Sequence, residues 1–283
     1  MIKKISCLSA IASITISMSI YAEEKTVSNS VIAQQKSALA QNTKGKGFGP
    51  QSPRDIDQTY GTNEREFSLA PNRSELNLCN IHFHKGAEHK GGDFTTYAGN
   101  GDGQGKNSGY LYNHPLSKAE QSKYTGKVCP AKGKSLEVGD TLEVHYVFSS
   151  AQISPGPTLG ACLSDSTMNP QLRVEAQVIV LTNDGNGRDF EDMTEIEVIQ
   201  GYYQAPNIPS NTGIPVQYLG STTGPSYNEK GSPLQVSWSV RPQVTKVDIS
   251  SVAEWCEDNE FNEDHAHGVR NLVTNPMLLS PIQ

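Results

Sequence analysis

Long apolar runs are absent from the 283-residue sequence beyond its first 22 residues, and convincing amphipathic helical patterns are scarce. A membrane-spanning helix needs about 20 consecutive apolar residues, so we expect no span in the body of the chain. Basic residues are also in deficit, because 23 lysines and arginines face 30 aspartates and glutamates. An acidic chain is repelled by phosphate backbones and anionic lipids, which excludes nucleic acids and membrane surfaces as expected partners.

Cysteine is infrequent, and no two cysteines have the C-x-x-C spacing that is typical of thiolate metal sites. Four cysteines follow the first 22 residues: Cys79, Cys129, Cys162 and Cys256. An even number in an exported chain predicts two disulfides. Four cysteines allow three pairings, and the sequence does not choose among them.

The first 22 residues have the pattern of a secretory signal peptide. Lys3 and Lys4 precede an apolar, serine-rich stretch that ends in Ala22, where we expect cleavage. Residues 23–47 are polar and lack a clear period, which predicts a flexible lead-in. Residues 48–283 are then expected to form one domain, located in the periplasm or secreted.

Short β-type segments alternate with turns rich in glycine, proline and asparagine over the rest of the chain. This alternation predicts a mostly β, single-domain fold with few short helices. The clearest predicted strands are residues 76–84, 141–149, 174–181, 195–200 and 234–240.

The stretch CNIHFHKGAEHKGGDF, residues 79–94, holds three of the chain's seven histidines. Alternate residues of a strand share a face, so His82 and His84 project together, about 6–7 Å apart at the backbone. A catalytic zinc ion needs three protein ligands and one open position. His145, on the alternating strand DTLEVHYVFSS, completes the set if that strand pairs beside the first.

Polar residues stand where they can orient these rings. Asn80 lies two positions before His82, and Glu143 two before His145, each on the same strand face as its histidine. Metal-bound imidazoles usually donate their second N–H to such an acceptor. Three neutral imidazoles favour zinc, although copper, cobalt or iron also fits.

Taken together, these segments resemble a carbonic anhydrase of the alpha class or the allied delta class. IHFHKG followed by AEH, and LEVHYVF, resemble the family's zinc-ligand strands. GPQSPRDI, YLGSTTGP and LQVSWSVRPQVTKVDISS resemble three further family segments in the same order. The short loop between HFH and EH favours the delta class. The resemblance implies a central, largely antiparallel β-sheet of the alpha-carbonic-anhydrase type, with Zn²⁺ held by His82, His84 and His145 in a cone-shaped cleft.

The resemblance also implies roles for individual residues. Thr222, with Thr223 beside it, matches the threonine that accepts a hydrogen bond from zinc-bound hydroxide and donates its own proton to Glu88. A leucine that the family places before this threonine is missing, so the alignment allows either Thr222 or Thr223 in this role. His89 matches a structural histidine near the ligands, beside the acceptors Asn80 and Glu143. Val147 and Trp238 match the apolar lining of the carbon dioxide pocket.

The implied function is the reversible hydration of carbon dioxide to bicarbonate and a proton by zinc-bound hydroxide, which makes the protein a lyase. The family's usual proton-shuttle histidine has no counterpart, because TNEREFSLAPNRSELNL contains no histidine. A cupin-type metalloenzyme is an alternative, since His82, His84 and Glu88 fit H-x-H-x-x-x-E. A non-catalytic, exported zinc- or glycan-binding protein is a second alternative.

Overall fold

The computed structural model describes residues 26–132, 135–222 and 227–283, which form a predominantly β structure. The five strands predicted from the sequence correspond to β1, β4, β5, β6 and β9. The strands of the described residues are β1 (Asn77–Lys85), β2 (Thr96–Asn100), β3 (Ser108–Leu111), β4 (Thr141–Ser149), β5 (Leu172–Thr182), β6 (Glu197–Ile199), β7 (Tyr202–Gln204), β8 (Val216–Ser221), β9 (Gln235–Val240) and β10 (Thr245–Asp248). The predicted signal peptide lies outside the described residues.

Helical structure is limited to short elements. The α-helices are α1 (Asn29–Thr43), α2 (Phe190–Thr194) and α3 (Ile249–Trp255), and short 3-10 helices cover Arg73–Glu75, Leu159–Cys162 and Pro276–Leu278. No helix in the described ranges is long and apolar enough to cross a membrane.

Helix α1 occupies much of the segment that the sequence predicts to be a flexible lead-in. Gln35, Leu39 and Thr43 are its buried residues, and their spacing of four places them on one face of the helix. Two of these three side chains are polar, so the hydrophobic pattern gives no sign of the helix. Leu39 packs into a small apolar cluster with Tyr227, Val273, Leu278 and Leu279.

The main sheet contains six strands in the order β1-β4-β5-β9-β8, with β10 also paired to β5. The pairs β1–β4, β4–β5 and β8–β9 are antiparallel, whereas β5–β9 and β10–β5 are parallel. The predicted mostly β fold is confirmed, and the sheet is mixed rather than purely antiparallel. Parallel neighbours need long crossover connections, which the alternating pattern of single strands does not reveal.

Strands β1 and β4 separate an apolar face of the sheet from a polar one. Ile81, Phe83, Val144 and Tyr146 are fully buried in one hydrophobic cluster, and their apolar surface stabilises this face. The alternate residues of both strands project to the opposite face. In the pairing register His82 lies opposite His145, and His84 lies opposite Glu143. The two histidine-bearing strands are therefore direct neighbours.

The four described cysteines form two disulfides, Cys79–Cys162 and Cys129–Cys256. The first joins β1 to the 3-10 helix Leu159–Cys162, and the second joins a loop to the C-terminal end of α3. They close loops of 83 and 127 residues, and cross-links of this length restrict the unfolded chain strongly. The predicted number of disulfides is confirmed, and the structure supplies the pairing.

Candidate metal centre

Three histidines converge on the polar face of β1 and β4. One ring nitrogen from each of His82, His84 and His145 lies within 4.8 Å of the others. The ring centroids of His82 and His145 are 5.1 Å apart, and those of His84 and His145 are 4.8 Å apart. The two-residue spacing on β1 and the direct pairing with β4 together create this cluster.

Hydrogen bonds fix the orientation of the two β1 imidazoles. Asn80 donates its amide to the carbonyl of Gly156 (3.1 Å), so Asn80 Oδ1 is left to accept from His82 Nδ1 (2.7 Å). His84 Nδ1 donates to the carbonyl of Gly268 (2.9 Å). Both rings therefore carry their proton on Nδ1, and each presents an unprotonated Nε2 to the cluster.

His145 has the opposite orientation. Its Nε2 donates to Glu143 Oε1 (2.8 Å), which leaves the lone pair of Nδ1 facing His82 Nε2 at 3.3 Å. Two lone pairs repel each other at this distance unless a cation lies between them. A tetrahedral zinc ion with Zn–N bonds of 2.0–2.1 Å separates its ligands by about 3.3 Å. The donor set thus fits a small, imidazole-preferring metal ion.

The ionisation of the two β1 rings also suits metal binding, which requires neutral imidazoles. Burial and the neighbouring His145 and His84 rings hold the pKa of His82 well below its ordinary value. Burial lowers the pKa of His84 to about 4, although the nearby Glu88 carboxylate opposes this shift. At neutral pH the lone pairs of both rings are therefore available to a metal.

Glu143 and His89 form a buried chain of hydrogen bonds behind His145. His89 donates from its backbone N–H and from Nδ1 to Glu143, at 3.0 and 2.6 Å. His89 Nε2 accepts from the Tyr218 hydroxyl at 2.6 Å, and this hydroxyl contacts Ser52 Oγ at 2.8 Å. Burial alone raises the pKa of Glu143, but His89 and His145 outweigh it and hold this pKa well below its usual range.

A second metal-capable set consists of His89, Glu143 and His145. Glu143 Oε1 lies 2.6 Å from the His89 ring nitrogen and 2.8 Å from that of His145. Both are ordinary hydrogen-bond distances. Both nitrogens of His89 are already engaged, one by Glu143 and one by Tyr218. Hydrogen bonding accounts for this set, in which His89 orients Glu143.

Replacing Glu143 by glutamine should weaken zinc binding about 10- to 100-fold, the usual effect of losing a partner behind a ligand. Glutamine places one neutral oxygen where the carboxylate now accepts from both His145 and His89. A zinc-chelator competition titration measures the change. Tyr218→Phe is the matched control, because it removes only the hydroxyl that donates to His89. It should change the zinc affinity less. Equal affinities for Glu143→Gln and the parent protein would contradict this role.

Glu88 is paired with a residue that the sequence does not single out, Arg270. Arg270 donates its backbone N–H and Nε to Glu88 Oε1, both at 3.2 Å, and Nη2 to Oε2 at 3.3 Å. Burial raises the pKa of Glu88, but the charges of Arg270 and His84 outweigh it and lower this pKa to about 2. Glu88 is therefore an ionised acceptor held by Arg270, and in the described residues it does not join His82 and His84 in a group of possible metal ligands.

The threonine expected to donate to Glu88 is not in contact with it in the described structure. Thr222 is buried; its backbone N–H donates to the carbonyl of Leu234, and its carbonyl accepts from Ser232 Oγ. Within residues 26–132, 135–222 and 227–283, no hydrogen bond joins Thr222 to Glu88. Thr223 lies outside these residues, so its role stays a prediction.

A cavity of about 430 Å³ opens in front of the histidines. Leu159 and Leu234 form apolar parts of its wall, beside Arg270 and His267. Val147 and Trp238, predicted to line a substrate pocket, are both 1% exposed and are not among the lining residues of this cavity, so their role stays a prediction. Trp238 packs edge-on against His145, with ring centroids 5.0 Å apart.

His267, which the sequence does not identify as a site residue, lines the metal cavity. Its backbone lies between the backbones of Phe83 and Lys85, and its ring centroid is 5.5 Å from that of His82. Its Nε2 contacts Glu263 Oε2 at 2.8 Å. The pairing of the C-terminal segment with β1 is a long-range contact without a local pattern. HGVRNL, which only loosely resembles a family segment, is the one sequence signal for His267 and Arg270.

A family model described as delta carbonic anhydrase matches residues 73–251. A search of curated proteins finds no match. Similar solved structures include a hyperthermostable carbonic anhydrase from an active hydrothermal vent chimney (13% identity, 87% of this chain and 90% of that chain covered, TM-score 0.35). Another is the alpha-carbonic anhydrase of Thermovibrio ammonificans in complex with the inhibitor sulfanilamide (14% identity, 86% and 90% covered, TM-score 0.31). A third is the Photobacterium profundum alpha-carbonic anhydrase (16% identity, 88% and 97% covered, TM-score 0.27).

Proposed function

Because the chain belongs to the delta carbonic anhydrase family, we propose that it catalyses the reversible hydration of carbon dioxide with a zinc ion held by His82, His84 and His145. The observation that carries this proposal is the convergence of three imidazole lone pairs. Each is fixed by a hydrogen bond on the opposite side of its ring. Such preorganisation is what a three-histidine catalytic zinc site requires.

Bound zinc would supply Lewis acidity that lowers the pKa of a water ligand to about 7, a value established for carbonic anhydrases rather than obtained from this structure. The chain's own residues hold the metal and shape the cavity around it. Leu159 and Leu234 offer apolar surface against which an uncharged, apolar substrate such as carbon dioxide can rest. Glu88, kept ionised by Arg270, is available as a fixed hydrogen-bond acceptor at the cavity wall.

A threonine hydroxyl that donates to an ionised carboxylate has its lone pairs fixed toward the reacting oxygen. The family pattern assigns this task to Thr222 or to its neighbour Thr223. Replacing the acting threonine by alanine should leave one zinc per chain and slow hydration about 100-fold, as when one positioned hydrogen-bonding group is removed.

Thr222→Ala and Thr223→Ala, compared by stopped-flow hydration and zinc content, identify the acting residue. The slower variant is the one that has lost the orienting hydroxyl. Full activity in both variants would contradict a threonine in this role.

Proton export needs a group that exchanges protons near neutral pH, and histidine is the usual one. His267 lies in the cavity wall, and its side chain is 30% exposed, so it reaches solvent. We therefore assign it the transfer of protons between the metal site and buffer.

His267→Ala should lower turnover in dilute buffer about 10- to 100-fold, and concentrated imidazole buffer should restore it. Stopped-flow hydration at increasing buffer concentration measures this rescue. His114→Ala is the matched control, because His114 is exposed and pairs with Asp93 away from the cavity. A His267→Ala variant with unchanged turnover in dilute buffer would refute the assignment.

The proposed location is the periplasm or the extracellular space, with residues 1–22 as the signal peptide and 48–283 as the catalytic domain. Two disulfides support an oxidising compartment. N-terminal sequencing of the protein recovered from an expressing bacterium tests this proposal. We expect a mature chain that begins at Glu23; an intact Met1 would contradict export by cleavage.

A carbon dioxide hydration assay with an aromatic sulfonamide tests the whole proposal. We expect rapid hydration, one zinc per chain and inhibition by the sulfonamide. Zinc binding without hydration would favour a non-catalytic binding protein. Iron or manganese in place of zinc would favour the cupin-type alternative.

A further inference from the structure

A second cavity, of about 390 Å³, shares Arg270 with the metal cavity as a lining residue. Helix α1 contributes Ile32, Ala33 and Lys36 to its lining, and these residues share one helical face through their spacing of three and four. Tyr97 and Tyr110 also line the cavity.

Lys36 gives this cavity an uncompensated positive charge. It is the only charged residue of α1, and no carboxylate from the described part of the chain lines the cavity. Lys36 forms no ion pair with a residue of the described ranges. Burial lowers the pKa of Lys36, because an ammonium group that has lost part of its water without gaining a partner is disfavoured. A bound anion would provide that partner.

Arg270 adds an unused hydrogen-bond donor. The side chain is 3% exposed, and its Nε and Nη2 are taken by Glu88. Nη1 is buried and has no hydrogen-bond partner among the described residues. Buried donors are rarely left unpaired, and the guanidinium adds positive charge to the lining of the cavity.

The remaining walls are apolar and aromatic. Tyr97 and Tyr110 lie opposite each other in the β2–β3 register, with ring centroids 5.5 Å apart. Burial raises the pKa of Tyr110 to about 12, so its hydroxyl stays a donor at neutral pH. Ile32 and Ala33 add apolar surface to the lining. The cavity therefore combines surface that suits a flat apolar body with positive charge that suits an anion.

We infer that this cavity binds a small organic carboxylate, whose anionic group contacts Lys36 beside the Arg270 guanidinium and whose apolar body packs against Tyr97 and Tyr110. The site is separate from the metal centre and does not depend on zinc or on carbon dioxide hydration. Its volume of about 390 Å³ is in the range of small-molecule sites.

Isothermal titration of the full-length, metal-loaded protein with benzoate tests this inference. We expect one benzoate per chain, and binding at least about tenfold weaker in Lys36→Ala, since a charge-assisted hydrogen bond is lost. Lys36→Arg should retain binding, and Lys118→Ala, at an exposed lysine outside the cavity, should leave it unchanged. Alanine favours helices, so Lys36→Ala should fold normally.

Two results would overturn the inference. One is the absence of benzoate binding at millimolar concentration. The other is equal affinity for Lys36→Ala and the parent protein, which would place any bound benzoate elsewhere, including at the metal. Inorganic phosphate, which lacks an apolar body, should bind at least about tenfold more weakly than benzoate, a difference of about 1.4 kcal/mol. Phosphate binding as tight as that of benzoate would contradict the assigned ligand class.

Discussion

Replacing His145 by alanine should remove zinc binding and carbon dioxide hydration together. His145 supplies the Nδ1 that faces His82 Nε2 at 3.3 Å, and only two imidazoles remain without it. Removing a partner behind a ligand already weakens metal binding about 10- to 100-fold, so removing a ligand itself should have a larger effect. Zinc content after dialysis and the stopped-flow hydration rate are the two measurements.

The matched control for this variant is His114→Ala, which changes a histidine outside the metal cavity. It should retain one zinc per chain and normal hydration. Stoichiometric zinc with retained activity in His145→Ala would contradict the ligand assignment. Because Glu143 and His89 lie behind His145, the circular dichroism spectrum of the variant should be compared with that of the parent protein to exclude unfolding.

Replacing Glu88 by glutamine should lower the free energy of unfolding by about 3–5 kcal/mol, the usual cost of leaving a buried charge without its partner. Glu88 and Arg270 are 1% and 3% exposed. Glutamine keeps the shape of the side chain but removes the charge that compensates the guanidinium. Urea unfolding of the metal-loaded protein gives the change.

A surface ion pair provides the comparison for Glu88→Gln. Lys90 donates to Asp55 at 2.6 Å, and the Lys90 side chain is 36% exposed, so Asp55→Asn should cost less than about 1 kcal/mol. The double variant Glu88→Gln/Arg270→Met, which removes both charges, should recover part of the lost stability. A loss below about 1 kcal/mol in Glu88→Gln would show that the pair is not needed for stability.

The sequence could predict features that depend on near neighbours in the chain. Strand alternation places His82 beside His84 and Asn80 beneath His82, and the structure has the corresponding hydrogen bond. The same alternation separates Glu143 and His145 from the apolar face of β4. The predicted ligand set depended on β1 and β4 being neighbouring strands, and the structure confirms that they pair directly.

Contacts between distant parts of the chain could not be predicted in this way. Arg270 reaches Glu88 across 182 positions, and His267 enters the cavity because its segment pairs beside β1. Neither contact has a periodic signature. The sequence leaves the disulfide pairing open and gives no sign of helix α1 for the same reason, since both depend on how remote segments pack rather than on local pattern.

The structure also changes the interpretation of Glu88 as a possible metal ligand. A carboxylate four positions after His84 fits a cupin-type ligand set in the sequence, but in the structure it accepts three hydrogen bonds from Arg270. This pairing supports the proposed role of Glu88 as a hydrogen-bond acceptor rather than a metal ligand.

Zinc K-edge X-ray absorption of the purified protein tests the central claim most directly, because it reports the identity and distances of the ligands. We predict one zinc per chain with three imidazole nitrogens at about 2.0–2.1 Å and one further light-atom ligand. A spectrum with fewer than three imidazole ligands, or a protein that contains iron or manganese instead of zinc, would contradict the three-histidine zinc site.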